Sequence, residues 1–185
     1  MNWLRPPGPI ASGLRIGLLG GSFNPAHAGH LYVGEVALRR LGLDYVWWLV
    51  TPQNPLKPVA DMAPLEDRLA AARTLAGRDP RLIVTDLERI LGTRYTFDTL
   101  KALTRRFWGV RFVWLMGSDN LEQFHRWRRW EEIAALMPIA VVLRPGSVLA
   151  PLCAKAMKRF PRIAIVDGRR NEASATAMRA KEVRK

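Results

Sequence analysis

Two histidines three residues apart, His27 and His30, are the side chains of this sequence best placed to do chemistry. They close the stretch Gly20-Gly21-Ser22-Phe23-Asn24-Pro25-Ala26-His27-Ala28-Gly29-His30, which joins an apolar run to an amphipathic one. Gly20 and Gly21 predict a sharp backbone turn that can approach a ligand closely, and the amides of a following helix start suit phosphate oxygens. With His30 in the first helical turn, the two rings converge on one side of the same anion. Donors fixed where negative charge builds up are what a phosphoryl-type transition state requires. Two other readings compete, a glycine turn with incidental histidines and a zinc site built on His-x-x-His. Zinc asks for more ligands than this stretch offers: His125 is the only other histidine, Cys153 is the only cysteine, and the motif holds no acidic residue.

A second candidate lies near the other end, in Ser174-Ala-Thr-Ala-Met-Arg179. Ser174 reads as the N-cap of a late helix, and the fork of Arg179 suits bidentate contact with phosphate. A capped helix with a surface arginine is the alternative. Paired with the first stretch, Ser174, Thr176 and Arg179 would grip one phosphate chain from the opposite side. Gly117 to Asp119 follows an apolar run and suits nucleoside contacts, and the residues beyond it, through Trp127 to Trp130, interleave arginine with tryptophan. That interleaving equally suits single-stranded nucleic acid or a protein interface. Trp130 itself reads as core.

The elements that must position these residues alternate along the chain. Leu14–Gly20 has the pattern of a buried parallel strand, Gly29–Leu41 that of a helix with Arg39 and Arg40 near its negative end, and Tyr45–Val50 that of a second strand. Helices are then predicted at 65–75, 96–107, 130–136 and 149–160, and strands at 82–85, 110–115, 139–143 and 163–166. This alternation argues for an α/β fold with a doubly wound, mostly parallel, Rossmann-like sheet. Residues 1–13, with Pro6, Pro7 and Pro9, read as a loose arm, and 14–185 as a single domain.

Composition bounds the function. The chain of 185 residues is 49% hydrophobic and 24% charged, ordinary values for a globular protein. Its 29 Lys and Arg against 16 Asp and Glu give +13, which implies an anionic partner such as nucleotide, nucleic acid or a membrane surface. A lone cysteine points to a reducing cytoplasm, and no apolar run reaches the ~18 residues of a membrane helix.

The first stretch resembles the GG-[ST]-F-[DN]-P-x-H-x-GH signature of the HxGH nucleotidyltransferases, relatives of the class I aminoacyl-tRNA synthetases. The resemblance implies that Gly20, Gly21, Ser22, Phe23, His27, Gly29 and His30 bind the ATP triphosphate, the histidines steadying its α- and β-phosphates. Ser174 to Arg179 is similar to the second signature, [ST]-[SA]-T-x-[IM]-R. Further stretches resemble the nicotinate-nucleotide adenylyltransferase branch. Thr51 to Lys57 is similar to its P-x-x-x-P-x-K loop, implying Lys57 as a phosphate-binding cation. Tyr95 to Leu100 resembles its Y-T-x-D-T-L stretch, where Thr96 would meet the nicotinate carboxylate; as plain chemistry Thr96 reads as an N-cap. Gly117 and Asp119 fall at the implied adenosine contacts, and Trp127 where the branch stacks an aromatic ring on pyridine. Asp67 to Arg73 resembles a helix of the branch to which no site is assigned.

The implied reaction is adenylyl transfer from ATP to nicotinate mononucleotide, giving the deamido dinucleotide of NAD biosynthesis and pyrophosphate. Mg²⁺ would be held mainly through the ATP phosphates, and the partners would be the two nucleotides, without membrane or nucleic acid. A sister enzyme using another acceptor, such as phosphopantetheine, and a basic nucleic-acid-binding protein are the rivals. Relatives usually continue past the late arginine with a further helical segment, so the stop at Lys185 leaves the packing around adenosine open.

Overall fold

The computed structural model describes residues 5–53, 62–143 and 160–168. Short apolar runs become β1 (Arg15–Gly21), β2 (Tyr45–Val50), β3 (Leu82–Thr85), β4 (Arg111–Gly117), β5 (Ile139–Leu143) and β6 (Ile163–Asp167). The intervening amphipathic stretches become α1 (Ala28–Arg40), α2 (Leu65–Ala76), α3 (Leu87–Leu91), α4 (Thr96–Arg106), α5 (Ser118–Phe124) and α6 (Trp130–Leu136). The strands form one sheet in the order β3-β2-β1-β4-β5-β6, parallel at every pairing. Chain order therefore runs outward from β1 to β3 on one side and from β4 to β6 on the other. This is the doubly wound α/β sheet that the alternation predicts, and its switch point lies beyond the carboxyl ends of β1 and β4, where such sheets bind ligands.

Burial on both faces explains why the strands are almost continuously apolar. On β2 the adjacent Trp47 and Trp48 are both fully buried, yet in different places. Trp47 packs with Ile16, Leu18, Leu100 and Trp114, whereas Trp48 packs with Leu19, Val33, Val36 and Leu69. The two-residue period of a strand sends neighbours to opposite faces, so one pair of indoles anchors both helical layers. Each fully buried leucine of these cores contributes about 1.5–3 kcal/mol relative to exposure.

Three differences from the sequence reading bear on the site. β1 runs to Gly21 and α1 begins at Ala28, each a residue away from the predicted boundary. Two further helices, α3 and α5, have only five and seven residues, too few for a periodic pattern to declare itself. α3 stops where Gly92 takes φ +65° at its C-cap. The leader, from Arg5, is docked: Ile10 packs against the core and the Gly13 N–H donates to Gly109 O at 2.8 Å. The helix predicted at 149–160 lies outside the described residues except for Phe160, whose ring meets Trp130 edge-on at 5.1 Å. Trp130 packs with the core, as read from the sequence.

Candidate active site

The chain leaves β1 at Gly21 and must reverse into α1. The glycines do not make that turn. Gly20 and Gly21 pair in register with Leu49 and Val50 as strand residues, and the left-handed residue is Phe23, at φ +48°. The expectation of a glycine hinge is therefore corrected. Gly20 is required for space instead, since a β-carbon there would stand 2.4 Å from Trp114 Cη2. A left-handed conformation costs a bulky residue roughly 1–3 kcal/mol. Packing holds it: Phe23 is 1% exposed and its ring stacks on His30 at 4.3 Å and on Trp48 at 5.4 Å.

His27 then caps α1 from an extended conformation (φ −145°, ψ 165°). Its Nδ1 accepts from the Gly29 N–H at 3.1 Å, and His30 Nδ1 accepts in return from the His27 N–H at 3.3 Å. This is a capping box whose usual serine and glutamate are replaced by two imidazoles. Because Nδ1 accepts in both rings, the proton of each neutral ring sits on Nε2. The ring centroids are 4.0 Å apart, and His30 Nε2 lies 3.8 Å from where a β-carbon on Gly21 would be. The amides of Gly29 and His30 are already engaged, the latter with His27 O at 2.8 Å. With these two amides engaged, the groups that His27 and His30 can offer an anion are their Nε2–H donors.

A cavity of about 480 Å³ opens over the turn. Gly20, Gly21, Ser22, Phe23, His27, Gly29 and His30 line it together with Thr96, Gly117, Asp119 and Trp127, so every predicted site residue among the described ones is brought to one space. Lys57, Ser174, Thr176 and Arg179 lie outside the described residues. Gly117 occupies the N-cap position of α5, with Asp119 in that helix's first turn. Thr96 is not an N-cap; Tyr95 holds that position and Thr96 is the first residue of α4. Trp127 is half-buried, its ring edge-on to Trp114 at 6.0 Å and to Phe124 at 5.6 Å.

Sequence reasoning missed several lining residues. Arg94, Arg126 and Arg128 add positive charge at the rim, Arg128 lying over the Tyr95 ring at 4.5 Å. Glu88, on the short α3, is 5% exposed and accepts hydrogen bonds from the Thr51 hydroxyl and, at 3.3 Å, from the Thr99 hydroxyl. Burial pushes its carboxyl above the ordinary range, against those two hydroxyls, which favour the anion. No sequence spacing marks Glu88. Arg68 could have been noticed, because it falls in one row with Ala72 and Ala76 on the buried face of α2.

A parallel sheet with its cavity at the switch point, and a helix start capped by paired histidines, define a nucleotide-handling α/β protein, and the cytidylyltransferase-like family model matches residues 18–181. A Parvibaculum lavamentivorans protein named probable nicotinate-nucleotide adenylyltransferase is 50% identical over 188 residues, covering 92% of this chain and 93% of that one. Another, from Methylorubrum extorquens, is 51% identical over 186 residues, covering 91% of this chain and all of that one. In fold, the chain resembles Plasmodium falciparum nicotinic acid mononucleotide adenylyltransferase complexed with NaAD, with a TM-score of 0.71 at 17% identity over 83% of this chain and 75% of that one. The chain belongs to the nicotinate-nucleotide adenylyltransferase family.

Proposed function

We propose that this enzyme transfers the adenylyl group of ATP to nicotinate mononucleotide, forming nicotinate adenine dinucleotide and pyrophosphate in NAD biosynthesis. A phosphate oxygen of the mononucleotide attacks the α-phosphorus in line, the bond from that phosphorus to the bridging oxygen breaks, and pyrophosphate departs with the electron pair. No covalent enzyme intermediate is needed, so the protein's task is positioning and charge stabilisation. The paired Nε2–H donors of His27 and His30, fixed by their reciprocal cap beside Gly21, carry this reading. They meet charge accumulating on the α- and β-phosphates, with Gly20 to Phe23 and Gly29 shaping the phosphate path. Gly117 and Asp119 serve the adenosine side. Thr96 and Trp127 hold the pyridine, the ring stacked on the indole. Lys57, Ser174, Thr176 and Arg179 complete the grip on phosphate.

Among the described residues no three His, Cys, Asp or Glu side chains are grouped to hold a metal. Mg²⁺ would be held mainly through the oxygens of the ATP phosphates, since the buried Glu88 already accepts from two threonines. Held there, the ion would supply charge neutralisation for the leaving pyrophosphate. We place the reaction in the cytoplasm, where a lone cysteine stays reduced; among the described residues no helix is long and apolar enough to cross a membrane.

The test is pyrophosphate release from ATP and Mg²⁺ with nicotinate mononucleotide, nicotinamide mononucleotide or phosphopantetheine as acceptor. Highest kcat/KM with the nicotinate compound is expected. Release only with another acceptor overturns the substrate, and release with none overturns the reaction.

A further inference from the structure

Arg68, on α2, belongs to no stretch given a substrate contact, yet it is 3% exposed and its guanidinium donates four hydrogen bonds. All four go to backbone carbonyls. Nε reaches Ala63 O at 2.8 Å, Nη1 reaches both Ser22 O and Thr51 O at 2.7 Å, and Nη2 reaches Pro52 O at 2.8 Å. These acceptors come from three separate segments: the turn after β1, the exit of β2 and the approach to α2. A buried cation is tolerable only when its donors are met. The planar guanidinium meets carbonyls in fixed directions, so satisfying four at once fixes the three segments relative to one another; the single nitrogen of a lysine cannot.

Two of the segments so joined line the cavity, through Ser22 and Thr51. Ser22 leads into the turn that carries His27 and His30. The Thr51 N–H donates to Gly21 O at 2.9 Å, and the Thr51 hydroxyl donates to Glu88. Glu88 in turn accepts from Thr99 on α4, the helix that begins at Thr96. A continuous hydrogen-bonded chain thus runs from the histidine turn through Arg68, Thr51 and Glu88 to the wall where the acceptor is proposed to bind.

We infer that Arg68 is a positioning residue for the transfer reaction, its carbonyl clamp setting the histidine turn against the Thr51–Glu88–Thr99 wall so that the two reactants meet in line. The inference rests on the adenylyl-transfer reading of the same cavity. Misplacement by about one ångström costs such a reaction on the order of 10²-fold.

The experiment compares wild type with Arg68→Lys and Arg68→Ala, at a temperature where circular dichroism shows each fully folded. Arg68→Lys is expected to lower kcat at least tenfold with KM for either substrate changed less than threefold, and millimolar guanidinium is expected to restore part of the activity of Arg68→Ala. Hydrogen exchange without substrate should quicken in peptides covering 21–30 and 93–100 and stay unchanged in β4 and β5. Should both variants fail to fold, Thr51→Val, which cuts only the hydroxyl link to Glu88, should lower kcat in the same direction by a smaller factor. Wild-type kcat in folded Arg68→Lys, or exchange that quickens uniformly, overturns the inference. Wild-type enzyme inert toward nicotinate mononucleotide overturns the functional reading instead, and the exchange pattern then decides the role of Arg68.

Discussion

The two sides of the cavity are built in opposite ways. The β1–α1 turn is local: its left-handed Phe23, its two histidines and its reciprocal cap all lie between Gly20 and His30. The facing wall is assembled from the end of β2, α3, the start of α4 and the segment joining α5 to α6, held by Thr51, Glu88, Thr99 and the edge-on contacts of Trp127. The reciprocal cap of the local side is set within the turn itself, while Trp48 and Arg68 hold the turn from outside. A dispersed wall depends on tertiary contacts between elements far apart in the chain. Loss of a donor on the first side should therefore act on kcat and loss of acceptor contacts on the second on KM for the acceptor, while the links that set the two against each other, Arg68 and Thr51, act on kcat.

The sharpest break of that comparison is His30→Ala. Removing one charge-stabilising donor is expected to lower kcat by about 10²–10³-fold. Stability should fall by about 1–3 kcal/mol, for the loss of the cap bond to the His27 amide and of the stack on Phe23. Steady-state kinetics beside chemical denaturation test this; activity that merely tracks the folded fraction would give His30 a structural role.

On the other side, Trp127→Ala should raise KM for nicotinate mononucleotide by about 10–100-fold, as loss of ~1–3 kcal/mol of stacking implies. KM for ATP should hardly move, and Trp127→Phe should recover most of the loss. If both KM values rise together, Trp127 acts by packing on Trp114 and Phe124 instead.

This asymmetry also explains what could be read from the sequence. The sheet was legible because its strands are short apolar runs buried on both faces, and the histidine side because its parts are contiguous. Its mechanism was not: that Phe23, and not a glycine, takes the positive φ depends on stacking against Trp48, far along the chain. That Gly20 is a space requirement depends on Trp114, on another strand. Glu88 escaped for the same reason, since a buried acid on a five-residue helix has a role only after folding, whereas the place of Arg68 in the buried row of α2 was legible and its carbonyl partners were not. Lys57, Ser174, Thr176 and Arg179 rest on the family resemblance.

The glycines give a finer test within the local side. In Gly20→Ala the new β-carbon meets the Trp114 ring at 2.4 Å, and overpacking should cost roughly 1–3 kcal/mol in chemical denaturation. In Gly21→Ala the first neighbour is the Phe23 ring at 3.5 Å, an ordinary contact, so the stability change should stay within about 0.5 kcal/mol. The added methyl would nevertheless stand 3.8 Å from His30 Nε2, in the proposed phosphate path, and KM for ATP should rise. Equal destabilisation by the two substitutions would remove the distinction between a packing glycine and a ligand-facing one.

The smallest effect concerns Glu88, on the dispersed side. Burial raises its carboxyl above the ordinary range, so the folded state favours the protonated form. Below the ordinary carboxylate value both folded and unfolded chains carry that proton and burial adds no ionisation cost. As pH rises through the raised folded value, the cost of holding the anion inside appears and then levels off. Glu88→Gln keeps the shape and removes the titration, and the hydroxyls of Thr51 and Thr99 can rotate to accept from its amide. The Tm of Glu88→Gln minus that of wild type should therefore be more positive at pH 8 than at pH 5. A difference that is constant or shrinks with pH would mean that the two threonines hold Glu88 as a stabilised anion, and that the wall carries a fixed negative charge into the acceptor site.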